Sequence, residues 1–264
     1  MEQFTKKEKY SYEDLLKIIE ILRSEKGCPW DRKQTHESLI PHAIEESYEL
    51  VEAIHKKDVA NLKEELGDVL LQVLLHAQIS KEQEDFGMEE IVDGLAKKMV
   101  YRHPHVFGER EPFTSKEEVS LAWEELKKKE KAYQTTTEEM ENIASALPAL
   151  IRAQKVQKKA AKIGFNPEEA KGILKMIREE LQEVEEEVKN SNLEALEEEI
   201  GDLLLTITNL SGFFKINAEF ALTKAVEKFI NRFRYIENSA FAMNKKLSQL
   251  TFEELDDLWK KAKR

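Results

Sequence analysis

Apolar and polar positions along this chain interleave at helical spacing rather than strand spacing. No sustained period-two alternation of β-branched residues occurs, so strands find no support. Leu150 to Lys162 reads as an amphipathic helix that begins near Pro148. Two apolar runs, Val69 to Leu75 and Leu203 to Ile207, are each led by an aspartate, Asp68 and Asp202. They predict buried helices, and a buried aspartate at the head of such a run needs a partner. The expected fold class is all-α.

The same pattern occurs twice. Glu45-Glu46-Ser47-Tyr48-Glu49 precedes Glu64-Glu65-Leu66-Gly67-Asp68-Val69-Leu70-Leu71, and Glu179-Glu180-Leu181-Gln182-Glu183 precedes Glu198-Glu199-Ile200-Gly201-Asp202-Leu203-Leu204-Leu205. Glu46 and Glu65 are 19 positions apart, as are Glu180 and Glu199, and the two blocks are offset by 134. Further on, Lys98 and Arg102 return as Lys228 and Arg232, and Trp123 and Lys127 return as Trp259 and Lys263. The chain therefore reads as two tandem helical-bundle repeats, 1–134 and 135–264, with the change near Gln134-Thr135-Thr136-Thr137. Each half is expected to hold a lead-in helix, two acidic helices and one or two closing helices.

Residues three apart share one face of a helix. Glu46 thus projects with Glu49, Glu65 with Asp68, Glu180 with Glu183, and Glu199 with Asp202. A connection of about a dozen residues, containing Lys56-Lys57-Asp58 or Lys189-Asn190-Ser191-Asn192, would let the paired helices run antiparallel. Four carboxylates would then meet across one interface and repel one another unless they hold a cation. Oxygen ligands without His or Cys suit Mg²⁺, or Mn²⁺ in its place, rather than Zn²⁺. Gly67 and Gly201 fall mid-helix, where glycine costs about 1 kcal/mol relative to alanine. That cost is understandable if the missing side chain permits close helix packing or the approach of a ligand. A single acidic stretch such as Glu185-Glu186-Glu187 is ordinarily a solvated face; recurrence at identical spacing sets the two quartets apart.

Composition narrows the function classes. Charged residues reach 35%, while glycine (9) and proline (6) are scarce, as in helical proteins. No 18-residue apolar stretch occurs and the N-terminus lacks an apolar signal core, so neither a membrane span nor secretion is expected. One cysteine, Cys28, excludes an internal disulfide framework and fits a reducing cytoplasm. The net charge of −11 argues against nucleic-acid binding. A small phosphorylated molecule remains compatible where divalent cations bridge the negative charges.

The pattern E-x-x-E, a spacer, then E-x-x-D resembles the MazG family of all-α nucleotide pyrophosphatases. Gly27-Cys28-Pro29-Trp30-Asp31, Arg102-His103-Pro104-His105-Val106-Phe107, Leu147-Pro148-Ala149-Leu150, Arg152-Ala153-Gln154-Lys155 and Lys162-Ile163-Gly164-Phe165 carry the likeness over nearly the whole chain. The resemblance implies a homodimeric Mg²⁺ enzyme that hydrolyses nucleoside triphosphates to monophosphate and pyrophosphate with low base selectivity. It places the principal activity in the C-terminal half, with Glu180, Glu183, Glu199 and Asp202 as metal ligands. It also implies that Lys228 and Arg232 hold phosphates and that Trp259 and Lys263 lie near the nucleotide. Glu179, beside Glu180, is placed to orient or deprotonate the attacking water. Glu46, Glu49, Glu65 and Asp68 would form the matching metal site of the first half.

Other residues are read more plainly. Cys28 is a packing residue, Trp30 an anchor of the lead-in loop, and His103 and His105 members of an ordered loop. Trp259 also fits a core position, and the Lys127 to Lys131 run a solvated helix face. Two other function classes compete. A di-iron redox bundle calls for Glu-x-x-His, which neither motif contains. A non-catalytic, metal-stabilised interaction module would keep the carboxylates and lose Lys228 or Arg232, both of which are present.

Overall fold

The computed structural model describes residues 4–108 and 115–263. Met1 to Gln3, which open the N-terminal segment read above, lie outside them. Among the described residues every regular element is helical, and the chain divides into two compact units, Met1–Lys127 and Lys128–Arg264.

The first unit contains α1 (Tyr12–Arg23), α2 (Pro29–Lys33), α3 (Ile40–Lys56), α4 (Val59–Glu82), α5 (Met88–Arg102), α6 (Pro104–Phe107) and most of α7 (Lys116–Lys131). The second contains α8 (Thr136–Glu141), α9 (Ala149–Lys162), α10 (Ala170–Asn190), α11 (Leu193–Phe213), α12 (Ala218–Ala242), a 3₁₀ turn (Leu247–Gln249) and α13 (Phe252–Lys261). The division falls inside α7. The threonine run lies just beyond it, and Thr135 caps α8 by accepting from the Glu138 amide at 3.1 Å.

The two acidic helices pack as a hairpin in each unit, α3 on α4 and α10 on α11. Their connection is far shorter than the dozen residues expected from sequence. Lys57 takes the left-handed conformation at φ 56° and Asp58 caps α4 through the amides of Ala60 and Asn61. Ser191 at φ 58° and Asn192, which caps α11 through Ala195, do the same. One left-handed residue followed by an Asx cap reverses the chain in two positions, so the lysines and asparagine beside the turn belong to the helices themselves.

The first core gathers Ile19, Leu39, Leu74, Leu75 and Ile79 where α1 crosses α4. A second joins Ile236 and Ala240 of α12 to Leu250 and Leu258, with Trp259 packed against it. The apolar run after Asp202 departs from expectation: Leu204, Leu205 and Ile207 are exposed in this chain, whereas Leu74 and Leu75 are buried. The close-packing reading of the mid-helix glycines is also corrected. A Cβ at Gly67 or Gly201 would meet nothing within 4 Å, so no neighbouring helix requires glycine there.

Candidate active site

Each hairpin brings its carboxylates together. Oxygens of Glu46, Glu49 and Glu65 lie within 4.8 Å of one another, and so do those of Glu180, Glu199 and Asp202. The fourth member of each set acts on the same group. Asp68 repels the charges of Glu46 and Glu65, and Glu183 repels those of Glu180 and Glu199.

The electrostatics follow from that crowding. Burial, then the charges of Asp68, Glu49 and Glu65, push the Glu46 carboxyl above its ordinary range. Burial, then Glu49 and Asp68, raise Glu65, which is only 7% exposed. In the second unit burial followed by Glu183 and Asp202 raises Glu180, and burial followed by Glu183 raises Glu199. Among the described residues no salt bridge supplies a lysine or arginine to either quartet. An all-oxygen donor set, crowded and uncompensated, fits a hard divalent cation.

The basic residues come from other helices. Lys228 and Arg232 stand one turn apart on α12, as Lys98 and Arg102 do on α5. Arg232 lies over the Trp259 ring at 5.4 Å from its centroid, and Phe229 closes on the same ring at 5.0 Å. Arg102 lies over Trp123, also at 5.4 Å, and the His103 ring meets that indole edge-on. Trp259 packs on the core, one of the two readings weighed from sequence, and it also carries the arginine. Lys263 is exposed just past α13, and Lys228 is exposed on α12. Glu179 is turned outward, paired with Lys175 at 2.9 Å.

Of the residues read plainly, the Cys28 amide donates to the Leu22 carbonyl at 2.8 Å and its thiol is free. Trp30 is exposed, with its ring edge against His42. His103 Nδ1 bonds to the Met99 carbonyl at 2.6 Å, which fits an ordered loop.

Two features escaped the sequence. His36 and His76 stack with their Nδ1 atoms 2.7 Å apart, a contact bridging 40 positions that no local pattern announces. Beside the second quartet opens a cavity of about 750 Å³, lined by Glu180 and Asp202 and by the loop 163–167. The glycine-aromatic pair Gly164-Phe165 was its sequence signal, visible only as part of a motif.

Comparison with known proteins finds one family twice along the chain. The MazG nucleotide pyrophosphohydrolase domain is matched twice, over residues 34–107 and 168–236. The chain is 44% identical over 252 residues to the nucleoside triphosphate pyrophosphohydrolase/pyrophosphatase MazG of Thermotoga maritima, covering 96% of this chain and 95% of that one. It is 38% identical to the nucleoside triphosphate pyrophosphohydrolase of Escherichia coli, over 95% and 96% of the two chains. A solved mazG-related protein from Thermotoga maritima aligns at 38% identity with a TM-score of 0.38, covering 44% of this chain and 98% of that one.

Proposed function

The chain belongs to the MazG family of nucleotide pyrophosphohydrolases, and from that premise we propose the reaction, the ion and the residues that carry it. It is a nucleoside triphosphate pyrophosphohydrolase. Its substrates are ribo- and deoxyribonucleoside triphosphates, taken with little regard to the base, and its products are the monophosphate and pyrophosphate. The role is housekeeping of the nucleotide pool. Among the described residues no helix is long and apolar enough to cross a membrane; the single cysteine, suited to a reducing compartment, supports a place in the cytoplasm.

One observation carries the reading: the second quartet brings Glu180, Glu199 and Asp202 within 4.8 Å of one another, with the charge of Glu183 acting on Glu180 and Glu199 and no salt bridge from a basic side chain among the described residues. These four would hold Mg²⁺, for which Mn²⁺ can substitute. When bound, the ion supplies a lowered pKa for water and neutralises phosphate oxygens. Water adds to the α-phosphorus, the bond from that phosphorus to the bridging oxygen breaks, and pyrophosphate leaves with the bonding electrons. Glu179 takes the proton from the water; to do so it gives up Lys175. Lys228 and Arg232 balance the charge that builds on the leaving group. Trp259 holds Arg232 in place, and Lys263 adds positive charge near the nucleotide.

The first unit assembles the same donor set, and Glu46, Glu49, Glu65 and Asp68 likewise bind Mg²⁺. The exposed apolar side chains of α11 and α12, among them Leu204, Ile207, Phe229 and Phe233, support a homodimer.

The test is a panel of eight ribo- and deoxyribonucleoside triphosphates, with monophosphate and pyrophosphate measured with and without Mg²⁺. Equal amounts of the two products, lost on chelation, are expected. Release of diphosphate and inorganic phosphate, or turnover that survives chelation, would show the assignment to be wrong.

A further inference from the structure

In the core of the first unit one amide oxygen is left without a partner. Gln72 of α4 is 9% exposed, and no group among the described residues bonds to its Oε1. A carbonyl oxygen buried without a donor loses its hydration and gains nothing in exchange. Folded proteins tolerate such an oxygen where an ion, a water or a ligand belongs beside it.

The helix limits what that neighbour is. Successive residues turn by about 100°, so Gln72 points between Glu65 and Asp68, about 20° from the first and about 40° from the second. It stands one turn past Asp68, about 6 Å along the axis. Side chains of a helix lean toward its N-terminus, which carries the Gln72 amide back over the turn of Asp68. One turn the other way, His76 already turns its Nδ1 to His36 at 2.7 Å. The unpaired oxygen therefore looks toward the first quartet. Ionised carboxylates only accept hydrogen bonds, so they offer it nothing. Carbonyl and carboxylates alike call for positive charge.

The repeat supports this placement. The position 134 residues on from Gln72 is Thr206 of α11, buried at 7% exposure. Burial first, and then Glu183 and Asp202, raise the Glu180 carboxyl, and hydrogen bonding from Thr206 works against them. In the second unit this position thus reaches the quartet and brings a donor to it. The first unit puts an acceptor there instead. A donor relieves crowded carboxylates, whereas an acceptor adds to the crowding until a cation compensates both.

We infer that Gln72 Oε1 completes the first unit's cation site, as a neutral fifth oxygen that meets the hydrated ion. The inference rests on the reading of Glu46, Glu49, Glu65 and Asp68 as ligands of a divalent cation. Mg²⁺ and ions like it keep several of their waters when bound, and those waters need acceptors. The two sites of the chain are then unlike: four carboxylates with an amide oxygen in the first, four carboxylates with a hydroxyl donor in the second.

The experiment uses the full chain carrying Glu183→Ala, which breaks the second quartet. Mn²⁺ binding is titrated by electron paramagnetic resonance, and melting of the ion-free chain is followed alongside. Adding Gln72→Met, similar in length but without the oxygen, is expected to raise the Mn²⁺ Kd about tenfold or more. The ion-free melting temperature should stay level or rise, because the oxygen removed has no partner there. Gln72→Glu keeps an oxygen at the position and should retain most of the affinity. A Gln72→Met chain that binds Mn²⁺ as its parent does overturns the inference. So does a Gln72→Glu chain weakened as much as Gln72→Met, a comparison that still decides if the methionine lowers the melting temperature. Adding Glu49→Ala separates the two readings. If it leaves Mn²⁺ binding unchanged, the cation site itself is wrong; if it releases the ion while Gln72→Met does not, only the role of Gln72 falls.

Discussion

The guanidinium of Arg232 stands 5.4 Å from the centre of the Trp259 ring, and the indole is itself packed against the core of α12 and α13. Arg102 and Trp123 repeat the arrangement at the same distance, although the loops between arginine and tryptophan differ in length. An arginine side chain has several rotatable bonds, and an attractive ring face removes much of that freedom. Trp259→Ala is expected to lower kcat for pyrophosphate release about two- to thirtyfold, the range of a cation–π contact. Trp259→Phe keeps a π-face and should retain most of the rate. Equal losses in the two variants, with melting temperature followed alongside, would remove the stacking from the mechanism.

The two quartets should separate ion binding from turnover. Glu49→Ala and Glu183→Ala are each expected to reduce the number of Mn²⁺ ions bound per chain, counted by electron paramagnetic resonance. Only Glu183→Ala should abolish pyrophosphate release, because the cavity of about 750 Å³ lined by Glu180 and Asp202 opens beside the second unit's carboxylates. Full activity in Glu183→Ala would move the principal site elsewhere.

What the sequence made legible was periodic or repeated. Glu46, Glu49, Glu65 and Asp68 are tied by spacings of three on two helices, and their return at Glu180, Glu183, Glu199 and Asp202 separated a site from a solvated acidic face. The two-residue turn at Lys57-Asp58 was missed because lysine carries no left-handed preference to mark it. The mid-helix glycines suggested close packing, yet open space lies beside them; the approach of a ligand to Asp202 is the reading that remains. The His36–His76 contact and the place of Phe165 in the cavity wall depend on tertiary placement, which a single helical period does not encode.

Glu139 of α8 ties the end of α7 to α9. It is 6% exposed and receives Lys128 of α7 at 2.5 Å and Lys159 of α9 at 2.7 Å. Burial alone would raise its pKa, but hydrogen bonds from the two lysines outweigh that and hold it below the ordinary 4.5. A depressed folded pKa contributes stability that is present above the unfolded value and lost as the pH falls through the folded one. Glu139→Ala should therefore destabilise the second unit by about 2 kcal/mol at pH 7, a buried pair discounted because Lys128 is half-exposed. Urea unfolding at pH 7 and at pH 3 checks this. A difference between variant and wild type that is as large at pH 3 as at pH 7 would mean that packing, not charge, supplies it.

The first unit should lose stability at a higher pH, for a different reason. His36 and His76 face each other Nδ1 to Nδ1 at 2.7 Å, a gap that accommodates one proton, and the buried Ser80 hydroxyl lies 3.3 Å from the other nitrogen of His36. Desolvation, and then the neighbouring His36, lower the His76 pKa from its ordinary 6.5. The Arg23–Glu82 pair, at 2.8 Å, ties α1 to the same end of α4, and Arg23 also donates to the carbonyls of Asp31 in α2 and of Gln34 just after it. For a histidine whose folded pKa is depressed, the unfolded chain takes up its proton first as the pH falls. The stabilisation is thus complete above pH 6.5 and declines as the pH drops through that value toward the folded pKa. Melting of the wild-type chain followed from pH 7.5 to pH 5.5 should show a falling first transition. His76→Phe, which keeps a ring against His36 without a titrating nitrogen, should flatten that fall. An unchanged slope in His76→Phe would assign the acid sensitivity to other groups.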